Sequence, residues 1–151
     1  MGASALIFKG NIMTSNTKSI GVAFEDQDII GSNFVLSGGE LGYTAEAFGT
    51  VTQATDKSTA VTLNKSMGRI TMNGAALNTA TNATFTLNNS TISANDTVIL
   101  TISGGQATPG SYNAFANALT TGSVSISLRN ISGGTLSEAV VINFCVIHGQ
   151  S

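Results

Sequence analysis

The sequence predicts an all-β protein: an antiparallel β-sandwich of the jelly-roll or immunoglobulin-like kind, with about 7–9 strands. Three observations carry this expectation. Apolar and polar residues alternate with period two through most of the second two-thirds of the chain. Turn dipeptides recur between these stretches, and no segment shows a convincing amphipathic-helix period.

Taken in order, Val61 and Leu63 alternate with Thr62 and Asn64, and Ile70 and Met72 alternate with Arg69, Thr71 and Asn73. Ala83, Phe85 and Leu87 alternate with Thr84, Thr86 and Asn88. Val98, Leu100 and Ile102 follow within 96–103, and Val124, Ile126 and Leu128 then alternate with serines and Arg129. Each reads as a half-buried strand with one wet face. The stretch 112–119 is ambiguous, because Phe115 and Leu119 also fit a helical spacing; the preceding Pro109-Gly110 turn and the strand-rich context favour a strand. Segment 139–147 is apolar on both faces, with Val140, Ile142, Phe144 and Val146 on one and Val141, Cys145 and Ile147 on the other. It is expected to be a central strand covered on both sides. Asn73-Gly74, Pro109-Gly110 and the Ser-Gly-Gly tripeptides at 37–39, 103–105 and 132–134 supply turns, and their uneven spacing argues against a solenoid repeat.

Residues 1–48 differ in texture. Short apolar runs at 5–8, 20–24, 29–30 and 34–36 are separated by glycines. They either add strands to the sandwich or form an extended arm for contact with a neighbouring subunit, with 49–151 as the sandwich domain. At 151 residues the chain is long enough to bury a core unaided.

Composition excludes more chemistry than it suggests. Only 9% of residues are charged, while Thr, Ser, Gly and Asn account for 68 of 151, so the surface is expected to be hydroxyls and amides. Six Lys and Arg against eight Asp and Glu cannot neutralise a run of phosphates, so no nucleic-acid partner is expected, and no anionic membrane. No apolar stretch is long enough to span a bilayer, and the first ten residues lack a secretion-signal pattern. Leu6 breaks the myristoylation pattern. One cysteine and one histidine remove intrachain disulfides, multi-cysteine metal sites and two-histidine zinc motifs, and no cofactor or metal is expected.

The remaining candidates read as structural. His148 follows the last strand, and its nearest acid in sequence, Glu138, lies at that strand's other end, so a Ser-His-Asp triad is not expected. Cys145, between apolar neighbours, reads as a small core hydrophobe. Glu25, Asp26 and Asp28 offer carboxylates for a hard cation, but Ile29-Ile30 stands where a calcium loop needs glycine, and a solvated turn is favoured. Glu40, Glu46, Asp56 or Asp96 can be paired on paper into a glycosidase site, yet Tyr43, Tyr112 and seven phenylalanines mostly in strand-core positions give sparse material for a sugar platform. No glycine cluster is followed by the Lys-Ser or Lys-Thr of a phosphate loop. No catalytic residue is therefore assigned.

One stretch carries a resemblance. Gly-Thr-Val-Thr-Gln-Ala-Thr-Asp-Lys-Ser-Thr at 49–59, Ala-Val-Thr-Leu-Asn-Lys at 60–65 and Gly-Arg-Ile-Thr-Met-Asn at 68–73 resemble a module of tailed-bacteriophage and prophage virion proteins. Asp-Thr-Val-Ile-Leu at 96–100, Asn-Ile-Ser-Gly-Gly-Thr-Leu-Ser-Glu-Ala at 130–139 and Ile-Asn-Phe-Cys-Val-Ile at 142–147 extend the likeness over about 49–149. The resemblance implies a non-enzymatic virion structural protein, made in the bacterial host cytoplasm. The expected role is a capsid decoration or cement protein on the outer surface of the head, with the major capsid protein as partner. Few charges guard the sheet edges, so a homotrimer is expected to cover them. Phe8, Ile20, Phe24 and Phe34 are the expected contacts with the capsid or a neighbouring subunit. The alternative is a tail-fibre or receptor-binding module whose loops at 88–95 and 104–111 touch a host glycan.

Overall fold

The computed structural model describes Gly39 and residues 41–149. The chain divides into one unit over Met1–Gly39 and another over Glu40–Ser151, and the fold below is that of the second. A 3-10 turn, Ala45–Ala47, leads into eight strands: β1 Phe48–Thr52, β2 Val61–Thr62, β3 Met67–Thr71, β4 Asn82–Asn88, β5 Thr97–Gly104, β6 Tyr112–Thr120, β7 Ser123–Asn130 and β8 Val141–Ile147.

They form two four-stranded sheets, ordered β1-β3-β8-β5 and β2-β4-β7-β6. The inward faces share one core. Ile70, Ile142, Phe144 and Val146 from the first sheet meet Leu87, Val124, Ile126 and Leu128 from the second, all at most 2% exposed. Burying each such side chain stabilises the fold by about 1.5–3 kcal/mol. Gly68 lies in this core because a Cβ there would come within 2.7 Å of both Leu63 and Phe144. The sheet therefore needs glycine where Phe144 crosses β3.

The expected antiparallel sandwich is corrected in one respect: both sheets are mixed. β1 pairs with β3 in parallel, and β2 pairs with β4 in parallel. Parallel partners need a crossover connection, and here the crossover is a strand of the opposite sheet. β2 lies between β1 and β3 in sequence, and β3 lies between β2 and β4. Alternation shows which face of a strand is buried but carries no information about the direction of its neighbour, which is why the parallel pairs were not legible.

β6 resolves the ambiguity at 112–119 in favour of a strand, and shows why the spacing misled. A register shift between Ala116 and Ala118 changes the phase of the strand. Phe115 pairs opposite Ser127 on the outer face, whereas Leu119 pairs opposite Val124 and packs on the core. The two apolar residues four apart thus point to opposite sides.

β8 is central in its sheet, between β3 and β5, as expected. Its second face is only partly covered by described residues: Cys145 is half-buried and Ile147 is 52% exposed. β1 was not singled out in the sequence. Its inward residues are Gly49 and Val51, a weak apolar signal.

The strand directions sort the loops into two ends. Loops 53–60, 72–81, 105–111 and 131–140 gather at one end, joined by the Leu77–Leu136 bridge and by the bond from Ile131 N–H to Ser111 O. Segments 41–47, 63–66, 89–96 and 148–149 gather at the other, joined by bonds such as Val146 N–H to Ser66 O.

Candidate functional site

The polar residues singled out in the sequence are dispersed. Asp56 belongs to the first loop end and Asp96 and Glu46 to the second, so Asp56 pairs with neither. Among the described residues, no three His, Cys, Asp or Glu side chains come together as a metal site. No helix among them is long and apolar enough to cross a membrane. Glu25, Asp26, Asp28 and Glu40 lie outside the described residues, as do Phe8, Ile20, Phe24 and Phe34. The loops 88–95 and 104–111 stand at opposite ends of the eight-residue β5, roughly 25 Å apart. They do not form one binding site.

His148 has an acid partner after all, and it is Asp96 rather than Glu138. Nδ1 of His148 lies 3.0 Å from Asp96 Oδ2, with the imidazole 49% exposed and the carboxylate fully covered. The same carboxylate accepts from the Ser93 backbone N–H at 2.8 Å, the Ser93 hydroxyl at 2.7 Å and the Gly149 N–H at 3.0 Å. The two bonds from Ser93, and then those from His148 and Gly149, hold the Asp96 carboxyl well below the usual carboxylate range. Ser93 bonds the carboxylate and not the imidazole. The arrangement fastens the segment after β8 to the β4–β5 loop; it does not activate a nucleophile.

Several amides expected on the surface are buried and organise loops. Gln53 donates from Nε2 to the carbonyls of Lys57 and Thr59 and accepts from the Asn73 N–H. Asn89 donates to Lys65 O at 2.7 Å and accepts from both the N–H and hydroxyl of Thr91. Asn130, fully buried, donates to Leu77 O and Gly134 O and accepts from the N–H and hydroxyl of Ser132. These side chains replace the ladder bonds that the loop backbone lacks.

Lys57 is also buried. Its ammonium donates to the backbone carbonyls of Asn73 and Glu138. Burial pushes it below the ordinary lysine value, against the opposing pull of the Glu138 carboxylate. That carboxylate accepts from Ala107 N–H at 2.6 Å. Its other oxygen and the Tyr112 hydroxyl are buried without a partner at good hydrogen-bond geometry. Burial, then the neighbouring Glu138, push the Tyr112 phenol up to about 12.

The surface feature that stands out is the outer face of the β1-β3-β8-β5 sheet. Register places Phe48 beside Met67, Met67 beside Cys145 and Cys145 beside Ile99, one row across all four strands. Ile147 follows on β8, opposite Thr97. The next row inward along the strands is polar: Thr50, Arg69, Asn143 and Thr101. Cys145 therefore faces outward and is not the core residue expected of it. Leu41, Gly42 and Tyr43 run beside Cys145 and Ile147, and the five enclose a hollow of about 460 Å³. Tyr43 is anchored by its hydroxyl, which donates to Val146 O. Of the seven large hydrophobics exposed among the described residues, Leu41, Tyr43, Phe48, Ile99 and Ile147 belong to this region. An apolar patch with a polar rim is suited to binding another surface.

Comparison with protein-family models, with curated proteins and with solved structures finds no match to this chain.

Proposed function

We propose that this chain is a non-enzymatic structural protein of a bacteriophage virion: a capsid decoration or cement protein that sits as a homotrimer on the outer surface of the head and contacts the major capsid protein. The observation that carries the reading is the apolar row Phe48–Met67–Cys145–Ile99, which offers a broad, uncharged surface for a lasting contact. The resemblance of residues 49–149 to virion modules supports the same class. The uncharged strands β5 and β6, each at the end of its sheet, add to it, since unguarded edges call for cover by neighbours.

The jelly-roll form of the sandwich belongs to the same proposal. Every connection between consecutive strands except β6–β7 passes from one sheet to the other, whereas in an immunoglobulin sandwich several consecutive strands share a sheet. The tail-fibre or receptor-binding alternative has less support, because its two loops lie at opposite ends of β5.

The test is copy number in purified virions, by quantitative peptide mass spectrometry against the major coat protein. A ratio comparable to the coat protein is the expected result. A ratio far below it moves the chain to the tail or a unique vertex, and absence from virions overturns the reading.

A further inference from the structure

We infer that Asn73-Gly74 is a site of spontaneous covalent modification. The Gly74 nitrogen closes on the Asn73 side-chain amide and expels ammonia, and the Lys57 ammonium on the Asn73 carbonyl oxygen helps that nitrogen to ionise. The inference stands apart from the virion reading.

Asn73 follows β3 and is the only asparagine in the sequence with glycine after it. Its main chain is held on both sides. The Asn73 N–H donates to Gln53 Oε1 at 3.0 Å, and the Asn73 carbonyl accepts from Lys57 Nζ at 2.5 Å. Lys57 is 3% exposed, so little water competes for that contact. Gly74 is exposed, and its N–H donates to no described residue. A Cβ at 74 would find nothing nearer than Ser137 O at 3.9 Å, so nothing crowds the nitrogen.

Ring closure requires the Gly74 N–H to give its proton to solvent. The resulting negative charge is shared between that nitrogen and the Asn73 carbonyl oxygen, where the Lys57 ammonium already stands. The nitrogen then attacks Asn73 Cγ. Charge moves onto Oδ1, which accepts from the Ala75 N–H at 2.8 Å. Collapse breaks the Cγ–Nδ2 bond, and Nδ2 leaves as ammonia with a proton from water. Water next opens the five-membered ring at either carbonyl, giving an aspartyl residue or an isoaspartyl one with a longer main chain. The sum is amide plus water to carboxylic acid plus ammonia, without oxidant or reductant. The bond from Asn73 Nδ2 to Ala54 O is a brake, because it must break first. Losing one such exposed bond slows the step roughly fivefold.

The product removes the donor from Ala54 O, a tie between loops 53–60 and 72–81. It puts a carboxylate in the loop that holds Lys57, a buried cation whose present ionic neighbour is Glu138. A neutral tie at this end of the sandwich is thus exchanged for a charge.

The test is incubation of the folded full chain at neutral and mildly alkaline pH, read by peptide mass mapping and isoelectric focusing. Wild type, Gly74→Ala, Lys57→Met and Lys57→Arg are compared. In wild type, position 73 is expected to convert before any other asparagine, into a mixture of aspartyl and isoaspartyl forms. Gly74→Ala, whose methyl group has room, is expected to slow conversion. Lys57→Met is expected to slow it roughly tenfold or more, as loss of a charge-stabilising donor does, and Lys57→Arg to restore part of the rate. A merely structural Lys57 has the opposite sign, since a loosened loop converts faster.

An Asn73 that stays intact while other asparagines convert overturns the site. A folded Lys57→Met that converts as fast as wild type, or faster, overturns the part given to Lys57. If that variant fails to melt cooperatively, the wild-type rate profile decides. The rate is expected to rise with pH and to flatten where Lys57, faced by Glu138, loses its proton below the ordinary lysine value. An unbroken rise through that range overturns the part given to Lys57.

Discussion

Lys57 donates its ammonium to the backbone carbonyl of Glu138, a residue 81 positions later, and so joins two stretches of chain at one end of the sandwich. The first, 49–59, is the end of β1 and a loop wound around Gln53; the second, 130–139, is a loop wound around Asn130.

Replacing Lys57 by Met keeps the apolar stem but leaves the Asn73 and Glu138 carbonyls without their donor. The expected cost is about 1–2 kcal/mol at neutral pH, measured by urea unfolding. The pH dependence has a definite sign. Because burial lowers the folded value of Lys57, the unfolded chain holds its proton more tightly, and wild-type stability gains from this group as pH rises towards the ordinary lysine value of about 10.4. Lys57→Met is expected to lack that gain.

Asn130 makes four hydrogen bonds from a fully buried side chain, to Leu77 O, Gly134 O, Ser132 N–H and the Ser132 hydroxyl. Asn130→Ala removes them all and strands buried carbonyls. A loss of about 3 kcal/mol is expected, and a fall in Tm of roughly 10 °C by scanning calorimetry. Asn130→Asp turns the donor arm into an acceptor facing the Leu77 and Gly134 carbonyls and buries a charge, and is expected to be at least as destabilising as Asn130→Ala at neutral pH.

The strands were legible because burial imposes a period of two on residues such as Ala83, Phe85 and Leu87, whichever partner they meet. The site was not. Phe48, Met67, Cys145 and Ile99 are scattered over about two-thirds of the chain, and only the register of β1, β3, β8 and β5 puts them in one row. Cys145 and Ile147 look like core in sequence because an apolar side chain carries no mark of which face is outward. Asp96 and His148 were overlooked as a pair for a related reason: one closes the loop before β5, the other follows β8, and the antiparallel register of β5 and β8 brings them together. The apolar residue Ile99, which a wet-faced β5 has no reason to expose, and the second apolar face of 139–147 were the available signals that this outer face is unusual.

The Asp96 carboxylate is held below the usual range by the bonds from Ser93, His148 and Gly149, so its contribution to stability is fully present above about pH 4 and is lost as pH falls through its lowered folded value. Asp96→Asn is expected to be less stable than wild type at pH 7, because an amide cannot accept with both arms. It is also expected to show a shallower loss of stability on acidification. Urea midpoints from pH 7 down to pH 2 check both statements. A variant with the wild-type midpoint at pH 7 would mean that the Ser93 and Gly149 bonds add nothing to the fold.

Tyr43 and Tyr112 are the only tyrosines, and no tryptophan obscures them, so their ionisation can be followed directly by absorbance. Burial raises both, and Tyr112, beside Glu138, is pushed up to about 12. In the unfolded chain both phenols ionise near pH 10. The folded state therefore keeps protons that the unfolded state releases, and stability falls as pH rises from about 10 to about 12, with the opposite sign to the Lys57 contribution. Native titration at 295 nm is expected to show both phenols ionising above pH 10, Tyr112 last, and a simple titration near 10 after denaturation. Tyr112→Phe removes a buried hydroxyl that has no partner at good geometry, so its stability at pH 7 is expected to stay within about 1 kcal/mol of wild type. The same variant is expected to lose the later absorbance step and to resist alkaline unfolding better than wild type.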